Sequence, residues 1–268
     1  MESSIIQYVV LCTTALVISG LTLFSGFGLG TLLMPVFAIF FPLEVAIAMT
    51  AVVHLVNNLF KLGLLWRQAN WSVAVRFIIP GALMAVIGAV VVTYLTELPV
   101  LAIYAIGAHI FKIEMVKLVV GSLIFLFALL ELAPALAGRI QFSRKYLPLG
   151  GALSGFFGGL SGHQGALRSA VLIRCGLEKE AFIATGVVCA VVVDFFRLVV
   201  YGVTFFSRHF DLIIDSGGLG LISVVTLAAF VGAFTGKRLM EKLTLRMVQL
   251  IVGVGLLLLA TGLATGLI

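Results

Sequence analysis

Lys61, Arg168 and Arg197 stand inside long apolar runs, and Asp194 lies three residues before the last of them. An ionisable group inside a bilayer costs several kcal/mol, so such groups are partnered or functional. Arg168 follows a glycine-rich break, Ser161 to Gly165, one turn into a short apolar segment. A helix that starts there presents unpaired N–H groups and a positive dipole end, which suits an anion. The guanidinium of Arg168 would add a forked, permanently charged donor. The alternative is a structural pair between Arg168 and a carboxylate such as Glu131 or Asp194.

Around these charges lies a wider polar set. Asp194 and Arg197, spaced i, i+3, share a helix face and can neutralise each other, and Asn58 and Lys61 hold corresponding places earlier in the chain. Asp194 is then either a proton carrier in a polar lining or half of an ion pair. Lys61 either joins that lining, with a coupling or gating role, or snorkels to the cytoplasmic surface. In the break, Ser161, Gly162, His163, Gln164 and Gly165 offer ligands or a gate, and a histidine there can titrate near neutral pH. A cap on the short helix is the other reading of His163 and Gln164. His54, Asn57 and Asn58 extend the lining, although asparagines also join membrane helices without touching a solute. An earlier break supplies Ser25, Gly28, Gly30 and Thr31.

Membrane helices must position these residues. Of 268 residues, 62% are apolar and 10% are charged, against about 45–50% and about 25% in soluble domains. A water-soluble fold is excluded, and no room is left for a soluble catalytic domain. The net charge of +6 comes from basic residues interleaved between apolar runs, which is a topology pattern and not a nucleic-acid surface. The first apolar run, from about Ile5, lacks a basic leader and a cleavage site and is expected to stay as a helix. Cys12, Cys175 and Cys189 sit in or beside apolar runs without metal-ligand spacing, so they are expected as packing residues. No metal or other cofactor is expected.

The chain repeats itself. The segment GLTLFSGFGLGTLLMP at Gly20 lies over GFFGGLSGHQGALRSA at Gly155, an offset of 155 − 20 = 135, and at that offset Gly30 meets Gly165 and Thr50 meets Thr185. Residues 1–137 and 138–268 therefore form two repeats. Each has an apolar helix, a glycine break, a short segment and three long segments: 43–66, 72–95 and 113–134, then 178–206, 216–238 and 246–266. A short segment of a dozen residues rises about 18 Å, too little for a core of about 30 Å. Each break is thus expected as the tip of a re-entrant hairpin, tolerable only where buried in protein or lining a cavity.

Three crossings per half, an odd number, invert the second half relative to the first. Arg67, Arg76, Arg139, Arg144, Lys145, Arg174, Lys179, Lys237, Arg238, Lys242 and Arg246 then share one side, and only Lys112, Lys117 and Arg208 the other. Four crossings per half would split the basic residues nearly evenly. The inverted arrangement satisfies the positive-inside rule, with both termini outside and His109 and His209 in outer loops. The expected fold is an all-α integral membrane protein of two inverted repeats, each a glycine-broken hairpin plus three transmembrane helices.

SGFGLGTLLMP with AIAMT, and GGALSGFFGGLSGHQGALRSAVLIRCGLEKEAFIATG, resemble the TauE/SafE family of sulfite exporters and related anion permeases. The resemblance runs the length of the chain and departs at His163 and Gln164, where small residues are common. It implies an inner-membrane transporter for sulfite, sulfoacetate or another organosulfonate. With inverted repeats, alternating access around one anion site follows, and without a nucleotide-binding loop the energy comes from a proton or ion gradient or from the anion's own. The rivals are an anion channel with opposed half-helices and, further off, a membrane-embedded enzyme, for which no catalytic constellation is visible. Glycines spaced for close contact serve either packing within one chain or a homo-oligomer.

Overall fold

The computed structural model describes residues 2–25, 29–132, 144–207, 218–239 and 245–268. Helix α1 (Glu2–Ser25) is followed across the first break by the short α2 (Leu29–Ala38), then α3 (Leu43–Leu65) and α4 (Trp71–Thr96). A hairpin of β1 (Val100–Ile106) and β2 (His109–Glu114) leads into α5 (Met115–Leu132). The second half runs α6 (Leu147–Ser161), the short α7 (Gly165–Leu172), α8 (Lys179–Tyr201), α9 (Gly218–Leu239) and α10 (Leu245–Thr265). Among the described residues, Leu43–Gln68, Trp71–Thr96, Lys179–Phe205 and Gly218–Thr235 are long and apolar enough to cross a membrane. The described parts of α5 and α10 are apolar and shorter.

Local chemistry sets the boundaries. Asn70 caps α4, its side-chain oxygen accepting from the Val73 N–H at 3.1 Å. Gly162 ends α6 in the left-handed region at φ 81°, its N–H returning to the Gly158 carbonyl at 3.0 Å. The first break lies partly outside the described residues, Gly28 with it. Ser25 is the last residue of α1, and Gly30 and Thr31 already belong to α2. Residues 100–114, expected as an outer loop, instead pair as strands, with Gly107 at φ 62° opening the turn and His109 starting β2. Tyr104 stacks on Phe111 across the pair and donates to the Thr265 carbonyl at 2.6 Å, tying the hairpin to the end of α10. The third segment accordingly begins as helix at Met115, not at residue 113. His209 lies outside the described residues.

Helix contacts are close because glycine permits them. A Cβ added at Gly151, Gly155 or Gly159 of α6 would run into the carbonyl oxygens of Phe77, Gly81 and Ala85 on α4, in that order, so the two helices run parallel. Helices α1 and α9 also run parallel, with Gly220 beside Tyr8 and Gly232 against the Leu16 carbonyl. In contrast α5 and α10 are antiparallel, Gly121 facing Ala260 and Ala264 while Gly253 faces Leu132. Helices α3 and α8 are antiparallel too: His54 meets Asp194, and Asn70, beyond the end of α3, donates its N–H to Thr185 near the start of α8 at 2.9 Å. One apolar core, with Leu33, Phe37, Met49 and Ile124 fully buried, joins α1, α2, α3, α5, α9 and α10 and takes in Ala89 and Val92 of α4, Leu160 of α6 and Tyr201 of α8; a smaller one joins α4, α6, α7 and α8 around Phe77 and Leu172.

Candidate functional site

The antiparallel crossing of α3 and α8 collects the polar residues. His54, Asn57, Asn58 and Lys61 recur at three- and four-residue spacing and so form one stripe of α3. Asp194, Arg197 and Tyr201 form the facing stripe of α8, and all seven are buried. The second break enters between them: Gly162, His163 and Gln164 are enclosed in protein, as are Ser161, Gly165 and Arg168. Gly30 brings the first hairpin to the same place, since a Cβ there would lie 3.7 Å from both the Gly162 carbonyl and His54.

Asp194 is the acceptor on which the cluster converges. His54 Nδ1 lies 2.6 Å from Oδ2, Gln164 Nε2 donates to Oδ1 at 2.8 Å, and Arg197 Nη2 lies 2.7 Å from Oδ1. The last is a charge contact without hydrogen-bond alignment, because Nη2 has no properly angled acceptor. The ion pair expected from i, i+3 spacing is therefore present, joined by a histidine from the other half of the chain. Arg197 also donates through Nη1 to the Gly158 carbonyl at 3.0 Å, and the Tyr201 hydroxyl donates to the Gly159 carbonyl. Both carbonyls belong to the last turn of α6, where the helix dipole favours a cation; Gly158 accepts from the Gly162 N–H as well.

Among the described side chains Arg168 has no carboxylate partner, and that of Glu131 lies outside them. Arg168 Nη1 donates to Gln164 Oε1 at 3.3 Å, so Gln164 stands between Arg168 and Asp194 and holds both. The Gln164 carbonyl accepts from Ser154 Oγ at 2.9 Å and from the Arg168 N–H at 3.1 Å, which fixes the start of α7. Gly186 of α8 leaves room for the guanidinium, its added Cβ falling 3.6 Å from Arg168 Nε. Lys61 does not reach the surface: it is 8% exposed and has no hydrogen-bond or ion-pair partner among the described residues. Asn57 is fully enclosed, and neither its oxygen nor its nitrogen is hydrogen-bonded. His163 turns Nδ1 to the Ser161 carbonyl at 2.9 Å and stacks on Phe127 of α5, leaving Nε2 without a partner.

Sequence reasoning missed two members of the cluster. Tyr201 gave no signal beyond its four-residue spacing from Arg197, and Ser154 none at all. His54 was placed in the lining, but its bond to Asp194 spans 140 residues. Cys12, Cys175 and Cys189 are free thiols, and among the described residues no group of His, Cys, Asp and Glu is placed to hold a metal ion.

The buried charges among the described residues are Lys61, Arg168 and Arg197 against Asp194, an excess of two positive charges. Apolar helices of spanning length around a polar, cationic centre define a multi-pass integral membrane protein. The chain belongs to the TauE/SafE family, a family of membrane transporters, whose model, described as sulfite exporter TauE/SafE, matches residues 11–263. No curated protein and no solved structure matches it.

Proposed function

We propose that the protein is a secondary carrier that moves a small anion across the cell membrane by alternating access, with sulfite, sulfoacetate or another organosulfonate as cargo. The observation that carries this is the positive charge of Lys61 and Arg168, buried with no carboxylate bound to either among the described side chains. An isolated buried charge is costly, and a bound anion removes that cost. The anion sits between Lys61 and the first turn of α7, with Arg168 as its forked donor and Asn57, Thr31 and Gly30 on the facing side. Gln164 orients Arg168. Arg197 holds Asp194 and the end of α6 in place.

Two inverted repeats supply the alternating conformations. In support, exchanging the halves turns the α4–α6 contact into the α9–α1 contact and maps α3–α8 and α5–α10 onto themselves. The antiparallel courses of α3 with α8 and α5 with α10 fit inversion, whereas repeats of equal orientation would make both pairs parallel. The family match supports transport itself. The test is Arg168→Gln in proteoliposomes. Loss of a buried charge contact is worth about 2 kcal/mol or more, so sulfite or sulfoacetate flux falls at least ~30-fold while the protein still inserts. Unchanged flux would remove Arg168 from the site.

A further inference from the structure

We propose that His54 is the proton-binding residue of this carrier and that its protonation is coupled to occupancy of the anion site at Lys61 and Arg168. This rests on the anion-carrier reading above and adds the coupling partner. Asp194, the carboxylate that spacing alone suggests for a proton, has both oxygens engaged: Oδ1 by Gln164 and Arg197, Oδ2 by His54. A proton on Asp194 would displace contacts that already hold three elements together.

His54 is placed otherwise. With Nδ1–H directed at Asp194, the basic lone pair is on Nε2, whose hydrogen-bond partner is the neutral Asn58 amide at 3.3 Å; rotating that amide to present its oxygen lets Nε2 take a proton without breaking the contact to Asp194. Cδ2, the ring carbon bonded to Nε2, faces Gly30 at the start of α2, at 3.7 Å from a Cβ built there. The histidine therefore lies at the meeting point of the two hairpins. It connects to the anion site through Asp194, Gln164 and Arg168, each bonded to the next.

Charge sets the sign of the coupling. From α8 His54 faces Asp194 and Arg197, from α7 Arg168, and on its own helix Lys61; α2 adds no titratable group, and α9 adds none that is buried among its described residues. His163 is turned away toward Ser161 and Phe127. The guanidinium groups of Arg168 and Arg197 together with Lys61 outnumber the single carboxylate, so a proton on His54 is opposed while the site is empty and favoured once an anion neutralises Arg168 and Lys61. Such interactions are strong away from water. By linkage the proton strengthens anion binding by the same factor, of the order of 5–150-fold. An anion that travels with this proton is driven by a pH gradient.

The test compares radiolabelled sulfite binding to purified wild type and His54→Gln between about pH 5 and pH 8, the range in which a histidine changes charge. Glutamine keeps a donor for Asp194 and has no titration. Sulfite's own ionisation is common to both proteins and cancels in the ratio of their affinities. That ratio falls by up to about tenfold per pH unit as His54 loses its proton. A ratio independent of pH, with both proteins binding, overturns the assignment. Failure of wild type to bind sulfite or sulfoacetate overturns the anion site itself, and this coupling with it. If His54→Gln does not fold, nitrogen NMR of labelled histidine in wild type decides: sulfite raises the protonated fraction of His54 at fixed pH, and an unchanged fraction overturns the proposal.

Discussion

At the scale of single residues, the cluster separates groups whose polar atoms are paired from groups proposed above to meet the anion. Asp194 and Arg197 belong to the first kind, each with partners on more than one element. Removing one member of a buried pair leaves the other uncompensated, at about 3–5 kcal/mol. Asp194→Leu should therefore lower the melting temperature in detergent sharply, and adding Arg197→Met should restore most of it; a double variant no more stable than the single would show that the pair is not the unit. Asn57 is the opposite case. Its amide is enclosed without hydrogen bonds, a state that costs about 1–3 kcal/mol. Asn57→Leu should raise thermal stability by about that amount while lowering anion flux. A variant that melts earlier would mean the amide is a structural group.

At the scale of elements, the row Gly151, Gly155 and Gly159 recurs at every fourth residue of α6 and is answered by the backbone of α4. This contact carries the second hairpin, and with it Gln164 and Arg168, against the rest of the molecule. Gly155→Val must push the two helices apart and should cost about 1–3 kcal/mol, with loss of flux. Gly63 of α3 meets nothing within 4 Å, so Gly63→Ala should leave flux intact and gain up to about 1 kcal/mol from helix propensity. Equal melting temperatures for the two variants would contradict the assignment of the close contact.

At the scale of the whole molecule, the inverted topology proposed above predicts which side each segment faces. Cysteines introduced at Ser3 and Leu267 should react with an impermeant maleimide from outside intact cells. A cysteine at Lys145, between the halves, should react only after the membrane is opened. Labelling of Lys145 from outside would sink the inverted arrangement, and with it the exchange of shapes that alternating access needs.

Composition by itself determined the membrane class, because two charged residues per twenty leave no hydrated surface for a soluble fold. Self-comparison pointed to two repeats and to a glycine break in each, since glycine clusters and helix lengths are local properties, and the second break is where α6 ends and α7 begins. The Asp194–Arg197 pair was legible for the same reason: i, i+3 neighbours meet on any helix. Tertiary structure alone decided that His54 binds Asp194 and that Gln164, not a carboxylate, holds Arg168, because these partners come from different helices and no spacing encodes a crossing point. It also decided that the glycine row of α6 packs within the chain against α4, which spacing left open between self-packing and oligomer contact. The β1–β2 hairpin was hidden because both of its faces are rich in apolar residues, which erases the alternation that marks a strand.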